Sequence, residues 1–232
     1  MTSAIPGPAK LACLRPARTA RTNVGDNCAL SSDPIENYLS LADWRRHVAE
    51  MYAHVRALIH RDPAAAHEFW RTTRDDLFRH HPQSPLARDE RASFAGLHYF
   101  DYDERLAFTA KLRRLPETPH DLFTSDGRTM AFDRIGRIDL PVGSLDVLWL
   151  GAYTGGIFLS FRDTTSGKVT YGGGRYLLDT AKGADLGARG DHLIVDFNFS
   201  FNPSCAYGSQ WSCPLAPSAN TLTVPIEAGE CE

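Results

Sequence analysis

The side chains of this chain that could do chemistry concentrate in residues 171–230. A β-rich stretch, residues 192–201, carries Asp196 and Asn198, and Asn202 follows directly. Behind them lies a loop rich in Pro, Cys, Asn, Tyr and Trp. Amide and carboxylate groups give directional hydrogen bonds and aromatic rings give an apolar wall, which is the usual make-up of a small-molecule site. The same composition is also typical of a rigid structural clasp.

Asp196 and Asn198 alternate with apolar residues. In a β-strand successive side chains point to opposite faces, so the two polar side chains share one face and Phe197 points to the other. Burying two hydrogen-bonding side chains without partners is costly. They must therefore face solvent or line a polar cavity, and their place just before the loop favours the cavity.

Arg175 follows three consecutive glycines, residues 172–174. The run matches neither phosphate-loop motif, and no helix follows it, so the glycines indicate a bulge or a close backbone approach. A guanidinium binds a carboxylate or a phosphate through paired hydrogen bonds. Two interpretations stay open: Arg175 anchors an anionic ligand, or it pairs with Asp163 or Asp196 and holds the sheet together.

Of the five cysteines, only Cys205 and Cys213 are close neighbours inside the predicted fold. An odd number of cysteines does not fit a secreted disulfide framework. The spacing also lacks the short Cys or His pairs of zinc sites, so we predict no metal, and no other cofactor is expected. A disulfide and a reactive thiol stay open as alternatives, although two reduced, packed thiols are the favoured interpretation.

Charge and hydropathy limit the partners. The chain has 232 residues and a formal net charge of -3, whereas nucleic-acid binders are usually strongly basic, so no nucleic-acid partner is expected. No run approaches the roughly 18 apolar residues of a membrane span, and no apolar secretory segment begins the chain. We therefore expect a cytoplasmic protein with no membrane partner. The sequence gives no signal for an oligomeric state.

The patterning predicts a helical part in front of the chemistry-bearing region. Residues 1–32 show no periodicity and are predicted to be a disordered leader. Residues 33–91 are predicted to hold two helices and a linker. The Asp-Pro steps that begin at positions 33 and 62 are helix-start signals, and each is followed by apolar residues at three- and four-residue spacing.

Residues 92–232 are predicted to form an antiparallel β domain that ends in the loop rich in Pro, Cys and Asn. Many short segments separated by Gly-containing turns, with no helices between them, are typical of an antiparallel sandwich or barrel. The predicted fold class is α+β, with an N-terminal helical pair packed on an antiparallel β-sandwich or barrel. The predicted strands are 94–100, 106–115, 129–132, 134–140, 145–149, 157–162, 168–171, 175–178, 193–199 and 221–226.

Four stretches of the chain occur in the same order in a known family: SPL at 84–86, FAGLHYFDYD at 94–103, FLSFRDTTSGKVTYGGGRYL at 158–177, and DFNFSFNPSCAYGSQWSCPLAPSANTLTVPIEAGE at 196–230. Over about residues 40–230 the chain resembles the DUF1684 family of prokaryotic proteins. That family name records no function, so the resemblance implies a shared polar constellation and no particular reaction. One departure is Phe201, where the family usually has Tyr. The matching positions are Arg162, Asp163, Thr165, Gly167, Tyr171, Gly174, Arg175, Asp196, Asn198, Asn202, Pro203, Cys205, Tyr207, Cys213, Pro214, Asn220 and Glu230.

The sequence therefore predicts a small-molecule site in the β domain, for an anionic ligand that would be anchored by Arg175. The site could serve an enzyme of small-molecule metabolism or a binding protein, and no residue is assigned a catalytic role. The alternative is a structural or interaction module in which the same residues form a buried clasp. The predicted site residues are Arg175, Asp196, Asn198, Asn202, Cys205, Tyr207, Trp211 and Cys213.

Overall fold

Two capped helices open the part of the chain that the computed structural model describes, residues 33–151 and 153–232. Helix α1 spans Pro34–Leu58, and the Asp33 side chain accepts a hydrogen bond from the Ile35 N–H at 2.8 Å. Helix α2 spans Pro63–His80 and is capped in the same way by Asp62. Both starts follow the Asp-Pro signals. The predicted leader, residues 1–32, lies outside the described residues.

The two helices form an antiparallel pair. Trp44 of α1 contacts Phe78 near the end of α2, with ring centroids 6.3 Å apart. His54, further along α1, contacts Phe69, nearer the start of α2, at 4.1 Å. Later residues of α1 therefore contact earlier residues of α2, as expected for two antiparallel helices. A short helix, α3 (Arg88–Ser93), forms in part of the predicted linker.

The main regular structure in the rest of the described chain is antiparallel β-sheet. The strands are β1 (His98–Tyr99), β2 (Ala107–Lys111), β3 (Arg113–Pro119), β4 (Leu122–Phe123), β5 (Thr129–Met130), β6 (Asp133–Leu140), β7 (Gly143–Trp149), β8 (Ile157–Phe161), β9 (Arg175–Asp179), β10 (Ala188–Arg189), β11 (His192–Asp196) and β12 (Glu230–Cys231). A five-stranded sheet has the order β3-β6-β7-β8-β9, and a three-stranded sheet has the order β10-β11-β2. The pairs β1-β12 and β4-β5 form two ribbons.

The predicted α+β class, with a helical pair beside antiparallel sheets, is confirmed. One hydrophobic core joins the helices to both larger sheets, through residues such as Val55 and Trp70, Ile138 and Leu177, and Val195. No closed barrel forms in the described part of the chain, because β3 and β9 stay at opposite edges of the five-stranded sheet. Within residues 33–151 and 153–232, none of the helices combines the length and apolar character that crossing a bilayer requires.

Several predicted strands are wrong in whole or in part: of 94–100 only β1 is a strand, of 129–132 only β5, and 106–115 divides into β2 and β3, which lie in different sheets. Three others differ as follows. The segment 168–171 is a turn, in which the Lys168 and Val169 N–H groups bond to the Thr165 carbonyl. The segment 221–226 makes a single bridge to Arg162, and the N–H of Ile226 bonds to a carboxylate instead of a strand. The predicted strand 193–199 ends at residue 196, and residues 197–199 form a 3-10 turn.

The glycine run before Arg175 permits a close backbone approach. Gly174 has φ +92°, and a Cβ built there would lie 2.6 Å from the Phe161 carbonyl oxygen and 2.7 Å from the Ala216 Cβ. Both the left-handed conformation and the contact exclude a side chain. The close approach predicted from the sequence is therefore present at Gly174.

We predict that Gly174→Ala destabilises the protein much more than Gly190→Ala. Gly190 also has a left-handed φ, +63°, but a Cβ there would meet nothing within 4 Å. Gly190→Ala should therefore cost about 1–2 kcal/mol, the left-handed strain alone. Gly174→Ala should cost a further 1–3 kcal/mol, roughly the penalty of overpacking. Urea denaturation of both variants measures the difference, and equal losses would show that the close contact at Gly174 is relieved without cost.

Candidate functional site

A cavity lies between the helical pair and the segment that follows the 3-10 turn at residues 197–199. It holds about 710 Å³ of atom-free space, its open mouth included, of which about 100 Å³ is open to the centre of a water molecule. That is room for several waters or for one small organic molecule. Its walls are Trp44, Val48, Met51, Tyr52, Arg74, Leu77, Phe78, Pro85, Tyr176, Asp179, Lys182, Ala184, Phe201, Asn202, Pro203, Ser204, Tyr207 and Cys213.

Arg74, which lines this cavity, belongs to a buried ion pair. Arg74 of α2 donates from Nη2 to the Glu230 carboxylate at 2.7 Å, and Glu230 is 1% exposed. The same carboxylate accepts hydrogen bonds from the Tyr207 hydroxyl and from the Asn202 N–H. Burial raises the pKa of Glu230 even though Arg74 opposes the shift. Because so many donors meet this carboxylate, its charge is compensated inside the protein.

Arg74 has one guanidinium nitrogen to spare. Its Nε donates to the Tyr99 hydroxyl at 3.1 Å and its Nη2 to Glu230, while its Nη1 has no hydrogen-bond partner in the described part of the chain. Aromatic rings hold the group in place, with Cζ 5.3 Å from the Phe78 centroid and 5.2 Å from that of Phe201. An arginine fixed in this way can offer Nη1 to an anion without losing further side-chain freedom.

Two further polar atoms at the cavity lack partners. The Oδ1 of Asn202 and the hydroxyl of Tyr52 are buried, and neither makes a hydrogen bond to a described residue. The indole of Trp70 interacts with the Tyr52 hydroxyl but lacks hydrogen-bond geometry. Leaving a buried acceptor or donor unpaired costs about 1–3 kcal/mol. Both atoms have almost no accessible surface, so a bound molecule or ordered water would recover that cost once the side chains turn slightly toward the cavity.

The structure divides the predicted site residues into two groups. Asn202, Tyr207 and Cys213 line the cavity. Arg175, Asp196 and Asn198 do not reach it. Cys205 stands beside Cys213, and Trp211 donates from Nε1 to the Pro85 carbonyl at 3.2 Å.

Arg175 is a structural residue in this fold. Its side chain is 1% exposed, and its guanidinium donates to the backbone carbonyls of Ile226, Ala228 and Glu230. The Asp163 carboxylate lies 3.6 Å away. Burial lowers the pKa of Arg175 to about 10. Of the two interpretations left open by the sequence, the structure therefore shows internal pairing, which clamps the segment carrying Glu230 onto β9.

Asp196 and Asn198 form a second closed clasp. The Asn198 amide donates to Asp196 Oδ1 at 2.8 Å and to the Asp103 carbonyl at 2.8 Å. Its Oδ1 accepts from the Asp103 N–H at 2.8 Å, and the Tyr102 hydroxyl donates to Asp196 at 3.3 Å. Burial raises the pKa of Asp196 to about 6. Because the Asp196 side chain also caps the 3-10 turn, the predicted strand alternation ends there.

One group of described residues has a metal-like arrangement, with candidate ligand atoms of Asp43, His47 and His81 within 4.8 Å of one another. The hydrogen bonds oppose metal binding, however. His81 Nδ1 accepts the Gln83 N–H at 3.0 Å, so a neutral His81 carries its proton on Nε2, which faces Asp43 at 3.4 Å. A metal on Nε2 would force that proton onto Nδ1, against the Gln83 N–H.

Sequence reasoning missed Arg74 and Tyr52. Arg74 is four residues from both Trp70 and Phe78, so it lies on the buried stripe of α2. A charged residue on an apolar helical stripe is a signal that it has a buried partner. Tyr52 of α1 carried no such signal, because a tyrosine on a core-facing stripe is ordinary.

Comparison with known proteins gives a family and a related fold. The family described as "Protein of unknown function (DUF1684)" matches residues 92–231, a region that starts later than the residue near 40 expected from the sequence. The solution NMR structure of an uncharacterized protein from Haloarcula marismortui is 35% identical, with a TM-score of 0.50. That likeness covers 70% of this chain and 90% of the other. A search of curated proteins finds no match.

We predict that Arg175→Met lowers the free energy of unfolding by about 3–5 kcal/mol, because it leaves buried carbonyls and the Asp163 carboxylate without their partner. Arg113→Met is the control. Arg113 pairs with Asp139 at 3.2 Å on the surface, so its loss should cost less than about 1 kcal/mol. Chemical denaturation measures both. A loss at Arg175 no larger than that at Arg113 would contradict the structural role.

Proposed function

The chain belongs to the DUF1684 family, and we propose that its cavity binds a small organic acid. The observation that carries this proposal is the unpartnered Oδ1 of Asn202, which is buried at the cavity wall. Proteins rarely leave a buried acceptor unpaired, and exceptions ask for an explanation. A ligand that donates a hydrogen bond to this oxygen supplies one.

The walls define what such a ligand must carry. An anionic group would meet Nη1 of Arg74, and a hydroxyl or amine would donate to Asn202 Oδ1. The Tyr52 hydroxyl can donate or accept. Between them an apolar body would pack on the rings of Trp44 and Phe201. These requirements describe a compact hydroxy or amino acid with a small apolar side chain.

Charge favours a monoanion. Only one guanidinium nitrogen is open, and Glu230 already occupies the opposite side of Arg74. A second negative charge on the ligand would sit close to the buried Glu230 carboxylate, and like charges in a poorly solvated site repel strongly. Lys182 also lines the cavity, but it is exposed and pairs with Asp179 at 3.2 Å. A carboxylate therefore fits this site better than a phosphate dianion.

The alternative function, a structural or interaction module, has support at a different place in the chain. Arg175, Asp196 and Asn198 have polar atoms spent on internal partners. Those three residues are proposed to serve as clasps that hold the fold. The proposed ligand site keeps Asn202, Tyr207 and Cys213 from the sequence-based set and takes Arg74 as its anionic anchor in place of Arg175.

Asn202→Ala is predicted to separate binding from stability. The Asn202 side chain makes no hydrogen bond to a described residue, so its removal should leave the free energy of unfolding unchanged or slightly higher. Binding of a small hydroxy or amino acid should weaken about tenfold, as expected for one lost hydrogen bond of ~1.4 kcal/mol. A thermal-shift screen of such acids, followed by calorimetry with the best one, measures both quantities.

Asn220→Ala is the matched control for that experiment. The Asn220 amide donates to the carbonyls of Asp146 at 2.9 Å and Ser160 at 2.8 Å, and its Oδ1 accepts the Asp146 N–H at 2.7 Å. Its loss should destabilise the protein by about 3 kcal/mol, because three buried groups lose their partner. If Asn202→Ala destabilises as much as Asn220→Ala and no acid shifts the wild-type melting temperature, the proposed function is wrong.

A further inference from the structure

Cys205 and Cys213 lie side by side, and Cys213 is part of the cavity wall. Residues 206–212 separate them in sequence, yet their thiols are within hydrogen-bonding reach of each other. Both are free thiols in the structure. Cys213 is 6% exposed, whereas Cys205 is partly exposed. A reagent from solution therefore meets Cys205 first.

Hydroxyl groups surround the pair. The Tyr171 hydroxyl lies 3.4 Å from Cys205 Sγ and can donate to it when the sulfur is a thiolate. The Tyr171 ring is packed against Gly173, where an added Cβ would lie 2.4 Å from the ring. Ser125 accepts the Cys213 N–H at 3.1 Å. A fixed donor such as the Tyr171 hydroxyl favours the charged form of a thiol.

The two thiols differ in acidity. The hydrogen bonds from Cys213 and Tyr171 hold the pKa of Cys205 below its ordinary value. The hydrogen bond between the two thiols and burial raise the pKa of Cys213. One sulfur is therefore an accessible nucleophile and the other a protected thiol next to it. Attacking and resolving cysteines differ in this way in thiol–disulfide chemistry.

We propose that Cys205 and Cys213 are a redox-active dithiol that exchanges with low-molecular-weight disulfides. The Cys205 thiolate attacks one sulfur of the disulfide, forming a mixed disulfide and releasing one thiolate. Cys213 then loses its proton and attacks Cys205 Sγ, which forms the Cys205–Cys213 bond and releases the second thiolate. The protein pair loses two electrons, and the small disulfide gains them as two thiols. This inference does not depend on the cavity's ligand.

Oxidation would also change the cavity. The bond would close a loop over residues 206–212, which contains Tyr207 and Trp211. Tyr207 lines the cavity and donates to Glu230, and Cys213 is itself part of the wall. Fixing this loop changes how freely the wall can move. The oxidised and reduced proteins should therefore bind a cavity ligand with different affinities.

The test uses the full chain and oxidised glutathione as the probe. The reduced protein is treated with the probe, remaining thiols are alkylated, and disulfide-linked peptides are mapped by mass spectrometry. The wild type should show a Cys205–Cys213 link. Cys213→Ser should keep a mixed disulfide on Cys205, and Cys205→Ser should leave Cys213 unmodified. Cys231→Ser is the control, and it should behave as the wild type does.

A second measurement needs no variant, so it stands even if a serine variant fails to fold. The rate of iodoacetamide alkylation at Cys205 should rise with pH through a midpoint below about 8.5, the ordinary thiol value. A midpoint at or above that value would overturn the proposal. So would a mixed disulfide that persists on wild-type Cys205, a link to another cysteine, or equal reactivity of Cys213 when Cys205 is replaced.

Discussion

The carboxylate of Glu230 is the group on which the arrangement around the cavity depends. It is buried, and an isolated buried carboxylate would cost several kcal/mol or shift its pKa until it became neutral. Here α2 supplies Arg74, and the loop supplies the Tyr207 hydroxyl and the Asn202 N–H. Helix α2, the loop and strand β12 therefore contact one another at the Glu230 carboxylate. With the carboxylate paired in this way, Arg74 Nη1 and Asn202 Oδ1 keep no hydrogen-bond partner among the described residues, and both residues line the cavity.

Arg175 and Asn220, in the frame of the fold, are hydrogen-bonded more fully than Asn202 and Tyr52 at the cavity wall. Arg175 and Asn220 are buried, and each is bonded to three backbone groups. Arg175 Nε has no partner among the described residues, but the three hydrogen bonds that each side chain makes to the backbone fix one arrangement of the chain. Asn202 and Tyr52 are equally buried, but their polar atoms are unpaired. The proposed ligand site rests on these two unpaired atoms at the wall of one cavity.

Local signals in the sequence predict much of the frame. Asp33 and Asp62 cap their helices by contacts within three residues, so a short window of sequence contains the whole cause. The main strands of the five-stranded sheet also follow from alternation and turn glycines. The segment after Asp196 does not follow from these signals, because the Asp196 side chain accepts a hydrogen bond from the Asn198 N–H and turns the chain. A side chain that caps a turn overrides strand alternation.

The site could be predicted only in part, because its contacts are long-range. The sequence points to the loop that the proposed site includes, but it chooses Arg175 as the anionic anchor, whereas the proposal uses Arg74. The carbonyls that occupy Arg175 come from residues 226–230, and no local pattern indicates that they return to β9. Arg74 is one of many arginines in the helical pair, and its partner lies 156 residues away. Its position on the apolar stripe of α2 was the signal that could have found it.

A crystal structure at a resolution that orders water tests the central claim most directly. The account predicts an open cavity in which a molecule or ordered water lies within hydrogen-bond distance of both Asn202 Oδ1 and Arg74 Nη1. A cavity closed by its own side chains, with the Asn202 amide bonded to protein groups, would contradict it.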